Sequence, residues 1–229
     1  MNCKNISSFD GELVVTDADG TLWDTDVGDE FFRYQIEHGV NGITSDHWSV
    51  YQAMFMNNPA KAYSWLAQIN AGLSVEKLRE IADDFCRRRR KFPYFEEMKD
   101  YLANFQDKGM EIYVVSASVR WALEPFVEKM GLDRQKILAM ETKVRDGIIT
   151  DEPISPLPFG VGKILAVREK IGCEPKIAFG NTMGDLDMLK AAVEPVVVTS
   201  HTPKGHNLSI SEKCLQRIAR KNSWRIWTF

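Results

Sequence analysis

Two carboxylates, Asp17 and Asp19, stand two residues apart in the run Val14-Val15-Thr16-Asp17-Ala18-Asp19-Gly20-Thr21-Leu22-Trp23. A pair at this spacing on a turn can hold a hard cation such as Mg²⁺. One of the two can also attack an electrophile that the cation polarises, while the other moves protons. Farther along, Ser116-Ala117-Ser118 offers the Ser116 hydroxyl and the Ala117 amide to an anion, and Lys163, after Gly160-Val161-Gly162, can neutralise both a nucleophile and an incoming anion. The stretch Gly180-Asn181-Thr182-Met183-Gly184-Asp185 adds two oxygen ligands, Asn181 and Asp185, four residues apart. That spacing suits one ligand on a metal and one group that orients a metal-bound water or Lys163. Each feature also has an ordinary use. Asp and Gly build turns, Ser116 can cap a helix, and most lysines are solvated. Lys143 is a weaker competitor for the lysine role.

Elements that would position these residues can be read along the chain. Four short apolar runs, Glu12–Thr16, Glu111–Val115, Lys176–Phe179 and Pro195–Thr199, have the composition of buried parallel strands. Helical patterns separate them: Tyr94 to Lys108, Val119 to Met130 and Gly162 to Ile171, each followed by Gly, a helix C-terminal signal. Pro125 should kink the second of these or mark its true start. Such alternation predicts a doubly wound α/β sheet, whose ligands bind at the carboxyl ends of the strands. Asp17, Ser116 and Asn181 each follow a predicted strand, so they should converge there. The glycine-rich turn should open a helix over Asp185–Ala192.

Asp146-Gly147 between Lys143-Val144-Arg145 and Ile148-Ile149-Thr150 predicts a small antiparallel hairpin. Pro153 to Pro158 reads as a surface loop. From Asp26 to Lys91 only helical patterns occur, with Pro59 opening one helix and Ser74 capping another. A helix over Ser211 to Lys221 and a terminal segment, Trp224–Phe229, close the chain.

Bulk properties exclude some classes. With 229 residues and 44% hydrophobic content, the chain suffices for one α/β domain and a smaller insertion. A net charge of −3 argues against nucleic-acid binding through global charge. The basic run Arg87-Arg88-Arg89-Arg90-Lys91 reads as the solvated C-terminal end of a helix, where cations suit the dipole. Cys3, Cys86, Cys173 and Cys214 are scattered and read as reduced, mostly buried thiols. His38, His47, His201 and His206 form no ligand spacing. Met1 to Phe9 holds no apolar signal core, and no run approaches membrane-spanning length. The expected location is the cytoplasm, with no membrane and no nucleic acid as partner; oligomeric state is not legible.

In order, these features resemble the motif set of the haloacid dehalogenase (HAD) superfamily, and most of all its phosphoserine-phosphatase-like branch. The resemblance spans nearly the whole chain. It implies a HAD-like doubly wound parallel sheet with a Rossmann-like core over residues 1–25 and 92–229. An inserted all-helical cap would cover residues 26–91, with the hairpin as a flap. By motif matching, Asp17 corresponds to the nucleophile, Asp19 to the general acid/base, Ser116 to the phosphate-binding Ser/Thr and Lys163 to the motif III lysine. Asn181 and Asp185 take the two acidic positions of motif IV, so Asp17, Asp19, Asn181 and Asp185 are the metal set for Mg²⁺. Asn181 departs from the usual Asp: it still offers a carbonyl oxygen but removes one negative charge, so weaker metal affinity is expected.

What the resemblance implies is a Mg²⁺-dependent phosphomonoester hydrolase that works through an aspartyl-phosphate. Asp19 argues against a dehalogenase, which has no leaving alkoxide to protonate. A phosphotransferase would use the same parts. Asp26 falls where phosphoserine phosphatases place a substrate-facing acid, which points to a small amine-bearing phosphorylated metabolite of the phosphoserine, phosphocholine or phosphoethanolamine type. Asp24, Asp29 and Glu30 read as a solvated helix face. The aromatic-rich cap (Phe31, Phe32, Tyr34, Trp48, Tyr51, Phe55, Tyr63, Trp65) reads as helix packing in preference to an ammonium-binding cage. The alternative is a catalytically weakened member that binds a phosphorylated ligand or a partner.

Overall fold

The structure, a computed structural model, describes residues 12–202 and 205–229, apart from the side chains of residues 206 and 207. Cys3, the amino-terminal segment and the His206 side chain therefore lie outside the described residues. The sheet begins with β1 (Leu13–Thr16), buried on both faces as its Val-Val pair suits. It is completed by β2 (Glu111–Val119), β3 (Ile137–Met140), β6 (Ile177–Gly180), β7 (Glu194–Thr199) and β8 (Arg225–Thr228). The six strands run in the order β3-β2-β1-β6-β7-β8, and every neighbouring pair is parallel.

The chain moves outward from β1 to β3, then returns to place β6 on the other side of β1. The topological switch point, where open α/β sheets bind ligands, is therefore between β1 and β6. Those are the strands that end in Asp17 and Gly180-Asn181. The Asp17 amide donates to the Phe179 carbonyl across that junction (2.9 Å).

Alternation along the strands builds two cores. Leu13 and Val15 pack with Ile164 and Val167 of α7 (Val161–Lys170), Met188 and Leu189 of α8 (Leu186–Ala191), and Leu215 and Ala219 of α9 (His206–Lys221). Val14, Ile112, Val114 and Phe179 pack on the other face. Their partners include Leu102 of α5 (Glu96–Asp107), Phe126 of α6 (Arg120–Lys129) and the aromatics of the inserted helices. By the same period of two, Asp17 continues the Leu13–Val15 row toward the α7 and α8 side.

Between β1 and α5 lie four α-helices: α1 (Val27–Glu37), α2 (Ser45–Asn57), α3 (Pro59–Gln68) and α4 (Val75–Arg88). Pro59 opens α3, whose cap is Asn58, and the Ser74 hydroxyl accepts from the Lys77 amide at the start of α4. Arg79 of α4 makes a two-pronged bond to the buried Glu124 of α6 (2.6 and 2.9 Å), which ties the insertion to the sheet's helical layer. Arg87 and Arg88 pair with Asp84, and Arg89 with Glu30, at the solvated end of α4. The hairpin forms from β4 (Thr142–Arg145) and β5 (Ile148–Pro153), with Asp146 and Gly147 both at positive φ. It docks on the insertion, where Gly72 and Ile149 exchange backbone bonds with Ile149 and Leu73 (2.9 Å each).

Several expectations need correction. Two strands, β3 and β8, had no clear signature, and both are edge strands. Leu138, Ala139 and Met140 favour helices when read locally, and β8 is half-exposed. β2 continues through Ser116 to Val119, so Val119 and not Ser116 caps α6; Pro125 lies inside that helix and does not start it. α9 begins at His206, ahead of the expected Ser211. Among the described cysteines only Cys86 is buried; Cys173 and Cys214 are partly exposed, and all three are free. Among the described residues, no helix is long and apolar enough to cross a membrane.

Candidate active site

Lys163 is the centre of the site. Its ammonium donates to Asp17 Oδ1 (2.5 Å) and Asp185 Oδ1 (2.6 Å), and its side chain is only 4% exposed. The first turn of α7 must lie close to the preceding loop to bring it there. A Cβ on Gly162 would sit 1.8 Å from the Leu157 carbonyl oxygen, so only glycine fits beside Lys163. Burial alone would pull the ammonium down, but Asp17 and Asp185 hold it above its ordinary range. Burial and the nearby Asp185 push the Asp17 carboxyl up to about 7, against the pull of Lys163. Its second oxygen accepts from Thr21 Oγ1 (3.1 Å).

Asp185 is fixed from behind. Its Oδ2 accepts from the amides of Asn181 (3.0 Å) and Thr182 (2.9 Å) and from Thr182 Oγ1 (3.2 Å). The other oxygen is thereby aimed at Lys163. Asn181 is buried, and its Nδ2 donates to Glu212 Oε1 of α9 (3.4 Å).

Asp19 has a different environment. Its Oδ1 accepts from the Trp23 indole (2.8 Å) and the Val27 amide (2.7 Å), and its Oδ2 from Ser118 Oγ (2.6 Å). Burial raises its affinity for a proton even though these three donors oppose the shift. Both oxygens accept hydrogen bonds, as do both oxygens of Asp17 and of Asp185.

Ser116 is buried at the same end of the sheet, and its Oγ accepts from the Ser118 amide (3.1 Å). Ala117 lies between them. Asp26 caps α1, with Oδ1 accepting from the Asp29 amide (2.8 Å). Burial, then the charges of Asp19 and Asp29, raise its carboxyl well above the usual range. The flanking acids are half-buried and hydrogen-bonded rather than fully solvated. Asp24 accepts from Ser200 Oγ (2.8 Å), Glu30 accepts from Thr25 Oγ1 (2.6 Å), and Tyr51 donates to Asp29.

The structure adds residues that local reading passed over. Ser118 stood beside Ser116 in the quoted motif, and a strand period of two would have put both on one face. Thr21 was likewise within the first motif. Tyr63 was assigned to packing. It does stack in a chain from Tyr51 through Phe55 (6.0 Å) and on to Phe159 (5.5 Å), as cap packing requires. Burial, then the charges of Asp26, Asp29, Asp19 and Asp17, also raise its phenol above the ordinary range. Glu212 had no local signal at all.

One consequence is measurable without a substrate. Asp17, Asp19, Asp26 and Asp29 all have folded-state affinities for protons above their unfolded values. The stabilisation is therefore full below the unfolded pKa and is lost as pH rises through the folded one, which for Asp17 is about 7. With a chelator present, Tm should fall by several degrees from about pH 5 to about pH 8, since ~1 kcal/mol shifts Tm by roughly 2–4 °C at this size. A flat or rising Tm across that range would contradict the shifts.

The donor set can be tested for a metal. Among the described residues, no three His, Cys, Asp or Glu side chains converge into a metal cluster. Asp17, Asp185 and the Asn181 amide oxygen form an all-oxygen set with one lysine among the carboxylates. That matches Mg²⁺, which uses one or two carboxylates and completes its shell with water and substrate oxygens.

The fold has known counterparts. A protein of unknown function from Bordetella pertussis Tohama I superposes with a TM-score of 0.78 at 16% identity, covering 94% of this chain and 97% of that one. A phosphoserine phosphatase captured as a phospho-aspartyl intermediate analogue matches at TM-score 0.56 and 19% identity, covering 94% and 92%. A substrate-bound phosphoserine phosphatase matches at 0.51 and 20%, covering 82% and 86%. The family model for haloacid dehalogenase-like hydrolases matches residues 14–190, from β1 through α8, and so takes in Asp17, Asp19, Ser116, Lys163, Asn181 and Asp185. With that match and this arrangement of strand ends, the chain belongs to the haloacid dehalogenase-like hydrolase family.

Proposed function

We propose that the protein is a Mg²⁺-dependent phosphatase that hydrolyses a small phosphomonoester through an aspartyl-phosphate on Asp17. One observation carries the reading: a buried ammonium, Lys163, joins Asp17 to Asp185 across three separate chain segments. A buried ion triad is costly to build for stability alone, and Asp17 follows the strand at the switch point of the sheet, where sheets of this kind bind ligands.

In this reading Asp17 attacks phosphorus and forms a carboxyl–phosphate bond as the ester oxygen leaves. Asp19, its proton affinity raised by burial, gives that oxygen its proton. The Asp19 carboxylate then takes a proton from water as the water attacks the acyl phosphate. Asp17 is released as carboxylate, phosphate departs, and Asp19 is again protonated. Lys163, the Ser116 hydroxyl and the Ala117 amide hold the phosphoryl oxygens and offset their charge. Mg²⁺ would be held by Asp17, Asp19, Asn181 and Asp185, and when bound it would draw charge from the phosphoryl group.

Residues 26–91 act as a cap that selects the substrate. Asp26 and Asp29, beside Tyr51 and Tyr63, favour an amine-bearing ester such as phosphoserine, phosphoethanolamine or phosphocholine. Free thiols at Cys86, Cys173 and Cys214 suit a reducing compartment, in keeping with a cytoplasmic location.

The test is phosphate release from these esters and from neutral and anionic esters of similar size, with MgCl₂ and again with EDTA. Turnover with Mg²⁺, lost in EDTA and fastest on the amine-bearing esters, is the expected result. Undiminished turnover in EDTA would refute the metal requirement, and no turnover on any ester would favour the alternative of a phosphate-binding member without catalysis.

A further inference from the structure

Asn181 departs from the acidic residue expected at its position, and the fold sets a carboxylate directly behind it. Glu212 of α9 is 9% exposed and accepts from Asn181 Nδ2 at 3.4 Å. The contact is long, so its value lies in orientation and charge rather than in a strong bond. One other contact confines the amide, and a second holds α9 in place. A Cβ on Gly20, at φ +76, would lie 1.9 Å from Asn181 Nδ2, so the amide fills the space over the turn that carries Asp17 and Asp19. The next residue back, Ser211, accepts from the Met183 amide (3.0 Å), which holds α9 against the same loop.

An asparagine amide has one donor end and one acceptor end. With Nδ2 committed to Glu212, Oδ1 is the end left for a cation. We propose that Glu212 is a positioning residue that fixes the Asn181 amide with its oxygen toward the metal. The inference rests on the Mg²⁺ reading above. Glu212 lies beyond residues 14–190, the span matched by the family model.

The pairing has an unusual consequence. Asn181→Asp would set two carboxylates against each other at the Glu212 contact, with no N–H between them. The acidic residue typical of the family should therefore fail here unless Glu212 changes as well. Glu212→Gln keeps a carbonyl acceptor for Asn181 and removes the charge.

The experiment is calorimetric titration of the full chain with Mg²⁺ alone, using wild type, Asn181→Asp, Glu212→Gln, the double variant and Glu212→Ala. Outer-shell partners of metal ligands typically matter by about 10- to 100-fold in affinity. Glu212→Ala should weaken Mg²⁺ by about tenfold, and Glu212→Gln by about threefold or less. Asn181→Asp should give no gain alone but should tighten Mg²⁺ at least about tenfold on the Glu212→Gln background, at the low end of the outer-shell range. An Asn181→Asp effect equal on both backgrounds would overturn the proposal while leaving the Mg²⁺ site intact. Absence of Mg²⁺ binding by wild type would overturn both. If Glu212→Ala fails to fold, the four-variant cycle without it still decides between coupling and additivity.

Discussion

Asp17→Asn is expected to lower phosphate release by on the order of 10⁴-fold or more, the scale on which loss of an enzyme nucleophile is felt. An amide at this position can still accept from Lys163, so the buried geometry has no reason to collapse. It lacks the charged oxygen that attacks phosphorus in the proposed mechanism. The variant should also be no less stable than wild type in a chelator at about pH 8. There the wild-type carboxylate is ionised although burial and Asp185 have pushed it up to about 7. The two measurements belong together: near-total loss of turnover with an unchanged or higher Tm identifies a chemical role. Turnover within about tenfold of wild type would remove Asp17 from the mechanism.

Asp19→Asn should cost about 10²- to 10⁴-fold on alkyl phosphates, the usual range for a general acid or base. The loss should be smaller on an aryl phosphate, whose leaving oxygen needs little help from a proton. Asparagine preserves an acceptor for the Trp23 indole and the Val27 amide, which bind Asp19 Oδ1 at 2.8 and 2.7 Å. Its amide nitrogen can face the Ser118 hydroxyl as donor in place of the present 2.6 Å bond. Water activation should suffer too, so phosphorylated protein should accumulate and be visible by mass as one added phosphoryl group. An equal loss on alkyl and aryl esters would show that Asp19 holds the turn rather than carrying the proton.

Lys163 illustrates why these carboxylates need their partner. Asp17 and Asp185 are both buried, and each is within 2.6 Å of the same ammonium. Removing Lys163 would leave both carboxylates uncompensated, and breaking a buried ionic group in this way costs about 3–5 kcal/mol in other proteins. A divalent cation relieves the same imbalance, which is why metal and stability should be linked at this site.

Much of the core sheet was legible because buried parallel strands write themselves as β-branched runs, as in Val14-Val15 and Val196-Val197-Val198. β3 and β8 were not, because an edge strand has a neighbour on one side only and need not be continuously apolar. The Asp146-Gly147 hairpin was legible from its turn chemistry, but its docking against Leu73 and Gly72 was not, since that contact joins segments far apart in the chain. Ser116 was read as a helix cap as well as an anion contact. The strand runs on for three more residues to Val119, and tertiary pairing of β2 overrode the local capping signal.

Local order along the chain, by itself, determined which residue types follow the strands, and hence that Asp17, Ser116 and Asn181 would meet at one edge of a parallel sheet. It also determined Asp19 as the companion of Asp17, because both lie on one turn. Tertiary structure alone decided the partners. Lys163 reaches Asp17 across 146 residues, Ser118 reaches Asp19 across 99, and Glu212 reaches Asn181 across 31. Distances of that kind depend on how helices pack on the sheet, and no local propensity or spacing encodes them. For the same reason Asn181, read alone, is a missing charge, whereas in the folded chain it is an amide held between the Gly20 turn and a carboxylate on α9.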